Sequence, residues 1–254
     1  MKKNLLIAAV AVSLAGSLAA ASTVETKKRA DAFLDAEMAK YQLDRMSCAF
    51  SQHGETRYTY LNKKDIPETK DFDGTTPLPT ASMTKVITSI MILQLVEEGK
   101  VCLHDPVKIY VPLFPSDTAT VAQLMTHTSG IRNRGGHVPK GHPNYEKFYE
   151  TMYKQDEPGV KFNYMSQGYD ILAEIVESQT GVADVKDVAQ ARVFGPLEMT
   201  HTAFQSHTGQ SGMVTTAEDI LKLGNHLLTI LRTRKTGILT PEGVDALFRP
   251  ILDP

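Results

Sequence analysis

Two residue types that can carry out acyl transfer stand three positions apart in the first half of the chain. Ser82 and Lys85 lie in the stretch LPTASMTKVITSIMILQLVEEGK, residues 78–100. Residues i and i+3 of a helix share one face, one turn apart. A serine at such a position becomes a nucleophile if a base removes its proton. A lysine in a dry site can share that task.

The segment that follows the pair is apolar on nearly every side. Its large apolar residues are Val86, Ile87, Ile90, Met91, Ile92, Leu93, Leu95 and Val96, and Gly99 ends the pattern. Such a pattern predicts a helix inside a domain, with a glycine stop. Burying the charge of a lysine at the entrance of such a helix would be unfavourable unless the ammonium group had polar partners. The alternative is an N-cap serine beside a solvated lysine, and the residues alone leave both interpretations open.

The elements around this helix predict an α+β protein. Residues 23–42 have helical apolar spacing, and residues 45–62 read as a hairpin with a turn at His53-Gly54. Residues 63–80 are polar and contain Pro and Gly, which indicates a long surface loop. The order is therefore one helix, two strands, and then helices and loops to the end.

Further helices are predicted in the second half of the chain. Residues 120–131 suggest a short helix and a turn, and residues 166–181 a longer helix that stops at Gly181. A capping box from Thr215 to Glu218 opens the next helix. Thr240 and Pro241 predict the start of the last one.

Composition and the first residues restrict the location of the protein. The chain has 254 residues, 42% hydrophobic and 22% charged, with a net charge of −2, and it lacks the basic runs typical of nucleic-acid binding. Residues 1–21 combine two lysines, an apolar run and a small-residue end, as signal peptides do. We therefore expect one domain over residues 22–254, exported to the periplasm or secreted, without a stable membrane span after cleavage.

Five segments in chain order resemble the serine β-lactamase-like superfamily. The similarity is to the branch of class C β-lactamases, D-Ala-D-Ala carboxypeptidases and family VIII esterases. The segments are LPTASMTKVITSIMILQLVEEGKVCLHDPV, QLMTHTSGI, FNYMSQGYDILAEIVESQTG, VFGPLEMTHTAF and SGMVTTAEDILKLGNHLL. The resemblance implies a β-lactamase/transpeptidase-like fold, in which a helical domain packs on an antiparallel sheet that this chain leaves incomplete.

The resemblance assigns roles to four residues. Ser82 would be the acylated nucleophile, Lys85 its proton partner, and Tyr164 the general base of the family's Y-x-N motif. Ser166 stands where that motif has the asparagine that contacts the substrate amide, and serine offers one hydroxyl instead of a donor–acceptor pair. This change favours ester chemistry over amide or lactam chemistry. The residues alone suggest instead that Tyr164, in a Phe-Asn-Tyr run, packs in the core.

The family's third motif, K-T-G or a variant on a strand beside the nucleophile, is missing from its expected context. Lys235-Thr236-Gly237 matches in letters, but only two residues separate it from the helix start at Thr240. We interpret it as a chance match and expect the true motif, with further strands and a C-terminal helix, beyond residue 254. On this interpretation the domain is C-terminally truncated.

Other polar residues carry weaker signals. Cys48 and Cys102 permit a disulfide in an exported protein but do not establish one. His137 and His142 lie in a Gly/Pro loop without further ligands and are interpreted as surface histidines, and His127 as a hydrogen-bonded core histidine. No metal or organic cofactor is implied.

Together these features predict an exported S-x-x-K serine hydrolase. It would act through an acyl-enzyme on a small-molecule or peptidoglycan-peptide substrate, namely an ester, a β-lactam or a D-amino-acid peptide. The alternative is a catalytically impaired member of the family that binds peptidoglycan peptide or a protein partner without turnover.

The missing third motif generates a prediction for residues 22–254 expressed alone. Loss of one oxyanion donor costs about 10²–10³ in rate, and missing strands weaken the sheet. We expect poor ester hydrolysis and poor thermal stability. Full-rate hydrolysis together with a cooperative melt would contradict this expectation.

Overall fold

The computed structural model describes residues 23–52, 54–136, 138 and 142–249. The predicted signal peptide lies outside these residues, as does His137. The helices, in chain order, are α1 (Thr23–Lys40), α2 (Thr84–Glu97), α3 (Val121–Met125), α4 (Tyr145–Glu150), α5 (Gln167–Thr180), α6 (Val185–Ala189), α7 (Ala217–Thr233) and α8 (Pro241–Phe248). They account for all the helices that the sequence predicted and add the short α4 and α6.

The strands form three small antiparallel sheets. They are β1 (Arg45–Gln52), β2 (Glu55–Lys63), β3 (Leu78–Pro79), β4 (Ile131–Asn133), β5 (Met152–Lys154), β6 (Ala203–Phe204) and β7 (Met213–Thr215). The sheets are β1-β2, β3-β7-β6 and β4-β5. The α+β class is confirmed. The expectation of only two strands is wrong, because segments of two or three residues are too short to show an alternating pattern.

The main core surrounds α2, whose apolar residues are almost all buried, as its sequence predicted. The apolar face of α5, with Ile171, Leu172 and Ile175 fully buried, packs against it. Val86 is the exception on α2, since its side chain is exposed. Burial of this helix pair fixes the two elements from which the polar residues of interest project.

A second, smaller core lies between α1 and the β1-β2 hairpin. Met38, Met46 and Tyr60 are buried there. Hydroxyl groups of the hairpin reach α1, because Tyr60 donates to Asp35 and Tyr58 donates to Asp31, each at 2.7 Å. The hairpin is thus held to α1 by both apolar and polar contacts.

The strand pair β3-β7 ties the approach to α2 to a distant part of the chain. Leu78 pairs with Thr215, and the backbone N–H of Thr80 donates to the carbonyl of Met213 at 3.0 Å. The helix after β7 is capped one residue later than the sequence predicted. Thr216, not Thr215, accepts from the backbone N–H of Asp219, because the hydroxyl of Thr215 is engaged by Thr202.

The structure also shows the state of the two cysteines and the surroundings of the remaining motif candidates. Cys48 and Cys102 are both free thiols. Lys235-Thr236-Gly237 lies between α7 and α8 and forms no strand, as predicted. His142 is exposed. Among the helices that the structure describes, none has the length and apolar character needed to cross a bilayer.

Two glycines with positive φ give a matched test of packing at the turn after α3. Gly130 (φ +72°) has no room for a side chain, because a Cβ would lie 2.1 Å from the carbonyl oxygen of Asp156, whereas Gly99 (φ +70°) has open space. Both alanine substitutions force an L-residue into the left-handed region, at about 1–2 kcal/mol.

We expect Gly130→Ala to lower the free energy of unfolding more than Gly99→Ala does, by about a further 1–3 kcal/mol of overpacking. Denaturant unfolding of both variants measures the difference. Equal losses would show that the turn relaxes around the added methyl group.

Candidate active site

Ser82 lies in a 3₁₀ turn, Ala81–Met83, directly before α2. Its side chain is exposed. The hydroxyl of Thr84 fixes the turn, since it donates to the carbonyl of Ala81 at 2.6 Å and accepts from the N–H of Met213 at 3.1 Å. Ala81 has φ +44°, a left-handed conformation that costs on the order of 1 kcal/mol in a residue with a Cβ. The position of Ser82 is therefore imposed by its surroundings.

Lys85 is buried, with only 7% of its surface exposed. Its Nζ donates to Ser82 Oγ at 3.1 Å and to the carbonyl oxygen of Gln210 at 2.8 Å. The rings of Tyr164 and Tyr169 lie 5.1 and 5.5 Å from the same nitrogen, within the range of a cation–π contact. A buried ammonium group needs such partners, and the interpretation of Lys85 as a solvated lysine is wrong.

Tyr164 meets Ser82 from a separate segment. Its hydroxyl donates to Ser82 Oγ at 2.8 Å. The side chain is 46% exposed, so the core packing suggested by the residues alone is wrong. The structure thus brings together three of the predicted site residues, with Ser82 Oγ accepting from both Lys85 and Tyr164. Their catalytic roles remain predictions.

His127 holds the segment that carries Tyr164. Its ring lies 4.3 Å from the Tyr164 ring between centroids, and its Nδ1 accepts from the N–H of Met165 at 3.2 Å. Its own carbonyl accepts from the N–H of Asn163 at 2.8 Å. His127 is hydrogen-bonded, as expected, but it is half-buried rather than part of the core. Its stacking against Tyr164 was not foreseen, because nothing in the local sequence relates the two segments.

Arg132 adds a further contact, since its Nη1 donates to the carbonyl of Tyr164 at 2.9 Å. His127 itself has φ +59°, another left-handed conformation maintained by the contacts around it. The tyrosine is therefore placed by a strained histidine and an arginine rather than by a regular helix or strand.

The surroundings lower the pKa of both Tyr164 and His127, but through different causes. For Tyr164, burial opposes ionisation, but the nearby Lys85 ammonium group and the hydrogen bond with Ser82 outweigh it, so its pKa is lowered from the usual 10.0. Burial, followed by the charge of Lys85, lowers the pKa of His127 to about 4. Near neutral pH the imidazole is uncharged, which suits an Nδ1 that accepts a hydrogen bond.

Ser166, the predicted substrate contact, directly precedes α5 and is partly buried. It is the smallest of the influences that lower the pKa of the Tyr164 phenol. Its predicted role in substrate binding stays a prediction. Ser166 is therefore a neighbour of Tyr164 as well as a residue of the same motif.

Sequence reasoning missed the contribution of residues 208–210. The carbonyls of Gly209 and Gln210 accept from Thr88 Oγ1 and Lys85 Nζ, each at 2.8 Å. A backbone carbonyl is present at every residue, so no residue type could have indicated this contact. Only the adjacent resemblance around residues 211–228 pointed to this region.

Glu177, Asp184 and His207 are the side chains in the described parts of the chain that could together approach a metal ion. His207 Nε2 lies 2.6 Å from Glu177 Oε1, and His207 Nδ1 lies 3.8 Å from Asp184 Oδ1. The two ring nitrogens thus face different carboxylates, and a single ion binds only one nitrogen of an imidazole. This geometry suits a histidine that bridges the two carboxylates better than a metal site.

Comparison with known proteins identifies relatives of the chain. The family model described as Beta-lactamase matches residues 30–248. Protein flp from Staphylococcus aureus strain MRSA252 is 27% identical over 212 residues, which cover 74% of this chain and 40% of that protein. The chain spans about 40% of the length of the curated relatives that it matches first.

Solved structures share the fold. The octameric penicillin-binding protein homologue from Pyrococcus abyssi superposes with a TM-score of 0.72 at 21% identity, covering 86% of this chain and 59% of the other. A β-lactamase/D-alanine carboxypeptidase from Yersinia pestis superposes with a TM-score of 0.67 at 18% identity, covering 85% and 74% respectively. The predicted β-lactamase/transpeptidase-like fold is confirmed.

The contact between Lys85 and Tyr164 can be tested through the ionisation of the phenol. Lys85→Met removes the ammonium group that favours the phenolate, so we expect the pKa of Tyr164 to rise towards its usual value. Titration by NMR of protein carrying carbon-13 at tyrosine Cζ, with the signal assigned by Tyr164→Phe, measures this change.

Lys222→Met is the matched control. Lys222 pairs with Asp219 on α7, and its loss should leave the Tyr164 titration unchanged. An unshifted midpoint in Lys85→Met would show that the lysine does not act on the phenol.

Proposed function

The chain belongs to the beta-lactamase family, and on that premise we propose that it is a serine hydrolase that forms an acyl-enzyme on Ser82. The observation that carries the proposal is the meeting of three groups. Ser82 Oγ lies 3.1 Å from Lys85 Nζ and 2.8 Å from Tyr164 Oη. A nucleophile within hydrogen-bond reach of its base is the arrangement that covalent catalysis requires.

The proposed first half-reaction begins with Tyr164. Its phenolate, stabilised by Lys85, takes the proton of Ser82 as Oγ attacks the carbonyl carbon of the substrate. The tetrahedral intermediate then collapses, and the Tyr164 phenol returns the proton to the leaving group. General acid–base help of this kind contributes typically about 10²–10⁴ in rate.

The second half-reaction mirrors the first. Tyr164, again ionised, accepts a proton from water as the water oxygen attacks the acyl carbon. The bond from that carbon to Ser82 Oγ then breaks, and Tyr164 passes the proton to Oγ, which releases the acid and restores the Ser82 hydroxyl. The lowered pKa of Tyr164 supports this role, because it raises the fraction of phenolate near neutral pH. The Ser82 N–H would serve as one oxyanion donor.

Three substrate classes fit this chemistry: esters, β-lactams and D-amino-acid peptides. Ser166 favours an ester, because it stands where the family's motif has an amide side chain and offers one hydroxyl instead of a donor–acceptor pair. The structural neighbour from Yersinia pestis, a β-lactamase/D-alanine carboxypeptidase, supports the other two. The proposed setting is outside the cytoplasm, where a peptidoglycan peptide would be available.

A second candidate is a family member that binds peptidoglycan peptide or a protein partner without turnover. The exposure of Ser82 and of 46% of Tyr164 favours it, since electrostatic stabilisation is strongest where water is excluded. The buried, fully partnered Lys85 counts against it.

Covalent labelling distinguishes the two candidates. We expect a fluorescent fluorophosphonate to label the protein and Ser82→Ala to abolish the label, because the label attaches to Oγ. Tyr164→Phe should slow labelling by about 10²–10⁴. Gel fluorescence over time measures the rates.

Ser178→Ala, an exposed serine on α5, is the control and should label as the wild type does. Parallel incubation with a fluorescent penicillin reports whether a β-lactam also acylates Ser82. Absence of label that depends on Ser82, in protein shown to be folded by circular dichroism, would contradict the enzyme and favour the binding protein.

A further inference from the structure

A buried carboxylate on α5 holds the segment that contacts Lys85. Asp170 is 1% exposed. Its Oδ1 accepts from Thr208 Oγ1 at 2.5 Å and from the N–H of Gly209 at 3.2 Å, and its Oδ2 accepts from Gln210 Nε2. One carboxylate thus binds three consecutive residues.

The opposite side of the same segment faces α2. The carbonyl of Gly209 accepts from Thr88, and the carbonyl of Gln210 accepts from Lys85 Nζ. Residues 208–210 therefore form a bridge with Asp170 on one side and the ammonium of Lys85 on the other. The position of one acceptor of Lys85 depends on how firmly this bridge is held.

Steric contacts prevent the bridge from sliding onto α5. A Cβ at Gly209 would lie 2.1 Å from the carbonyl oxygen of Tyr169 and 2.9 Å from Ala173 Cβ. The backbone of residue 209 already touches the helix, so the remaining freedom is movement away from it. The hydrogen bonds of Asp170 oppose that movement.

We propose that Asp170 is a positioning residue that, through the carbonyl of Gln210, holds the Lys85 ammonium group against Ser82 and Tyr164. Its consequence for catalysis rests on the proposed function. The three groups of residues 208–210 that contact Asp170 are donors, and a carboxylate accepts from all of them. Without these bonds the bridge moves outward, and Lys85 follows its acceptor away from the reacting groups.

The ionisable side chains that face Lys85 in the described structure are Tyr164, Tyr169 and His127. Removal of a negative charge on its own would make ionisation of Tyr164 easier and lower its pKa. Displacement of Lys85 would have the opposite effect. The direction of the shift therefore separates positioning from simple charge loss.

The test compares Asp170→Ala with Glu174→Ala. Glu174 is a buried carboxylate one turn further along α5 that holds a different segment, through Tyr145 and Tyr149. We expect Asp170→Ala to raise the pKa of Tyr164, measured by carbon-13 NMR, and to slow fluorophosphonate labelling of Ser82 roughly 10- to 100-fold. Glu174→Ala should shift neither, whatever its effect on melting temperature.

Asp170→Asn provides the rescue. The side-chain amide of Gln210 can turn its oxygen towards the new NH₂ group, while the asparagine oxygen still accepts from Thr208 and Gly209. A near wild-type pKa of Tyr164 and labelling rate are expected. If Asp170→Ala does not fold, Thr208→Val combined with Gln210→Leu removes two of the three donors and keeps both backbone carbonyls.

The measurements test the positioning role of Asp170 and the proposed function of the protein separately. The positioning role would be overturned by a lowered or unchanged pKa of Tyr164 in Asp170→Ala or in the Thr208→Val, Gln210→Leu double variant. It would also be overturned if Asp170→Asn did not restore the wild-type pKa and labelling rate. Absence of Ser82-dependent labelling in the wild type would overturn the proposed function, while the Tyr164 titration would still decide whether Asp170 positions Lys85.

Discussion

The burial of one ammonium group is the constraint on which the rest of the site depends. Lys85 projects from the most buried helix of the protein, and its Nζ is removed from bulk water. A charge in such a place is tolerated only where acceptors surround it. The hydroxyl of Ser82, the carbonyl of Gln210 and two tyrosine rings meet that requirement. These partners come from three separate stretches of the chain. The contacts that the Lys85 ammonium group requires therefore bring the whole site together.

Holding those stretches in place requires unfavourable backbone conformations at two residues. Ala81 and His127 both have positive φ, and such residues persist only where their surroundings determine them. Thr84 ties the turn at Ala81 to β7, and His127 ties its own turn to the segment of Tyr164. Strain next to Ser82 and next to Tyr164 is consistent with a pre-organised site, in which groups need little rearrangement to react.

Sequence patterns predicted the long elements well and the short ones poorly. The helix pair α2 and α5 carries strong apolar patterns and the expected glycine stops, and the hairpin shows alternating β-prone residues. Strands such as β3 and β6 have two residues each, and their existence depends on a partner strand rather than on their own composition. The cap of α7 was predicted one residue early, because Thr215 and Thr216 are both competent caps and only the contact with Thr202 decides between them.

The sequence by itself determined which groups are available: a serine and a lysine at helical spacing, a tyrosine in a family-like motif, and a serine in place of an asparagine. Local spacing was sufficient for Ser82 and Lys85, because i and i+3 positions of a helix are neighbours whatever surrounds them. Tertiary structure alone decided that Tyr164 lies on the surface beside Ser82 and not in the core. It also decided that Gln210 contributes a carbonyl to Lys85. Both contacts join residues far apart in the chain. The first was indicated only by the resemblance of the Tyr164 segment to a family motif, and the second uses a backbone atom that every residue possesses, so the local order of the amino acids marks neither.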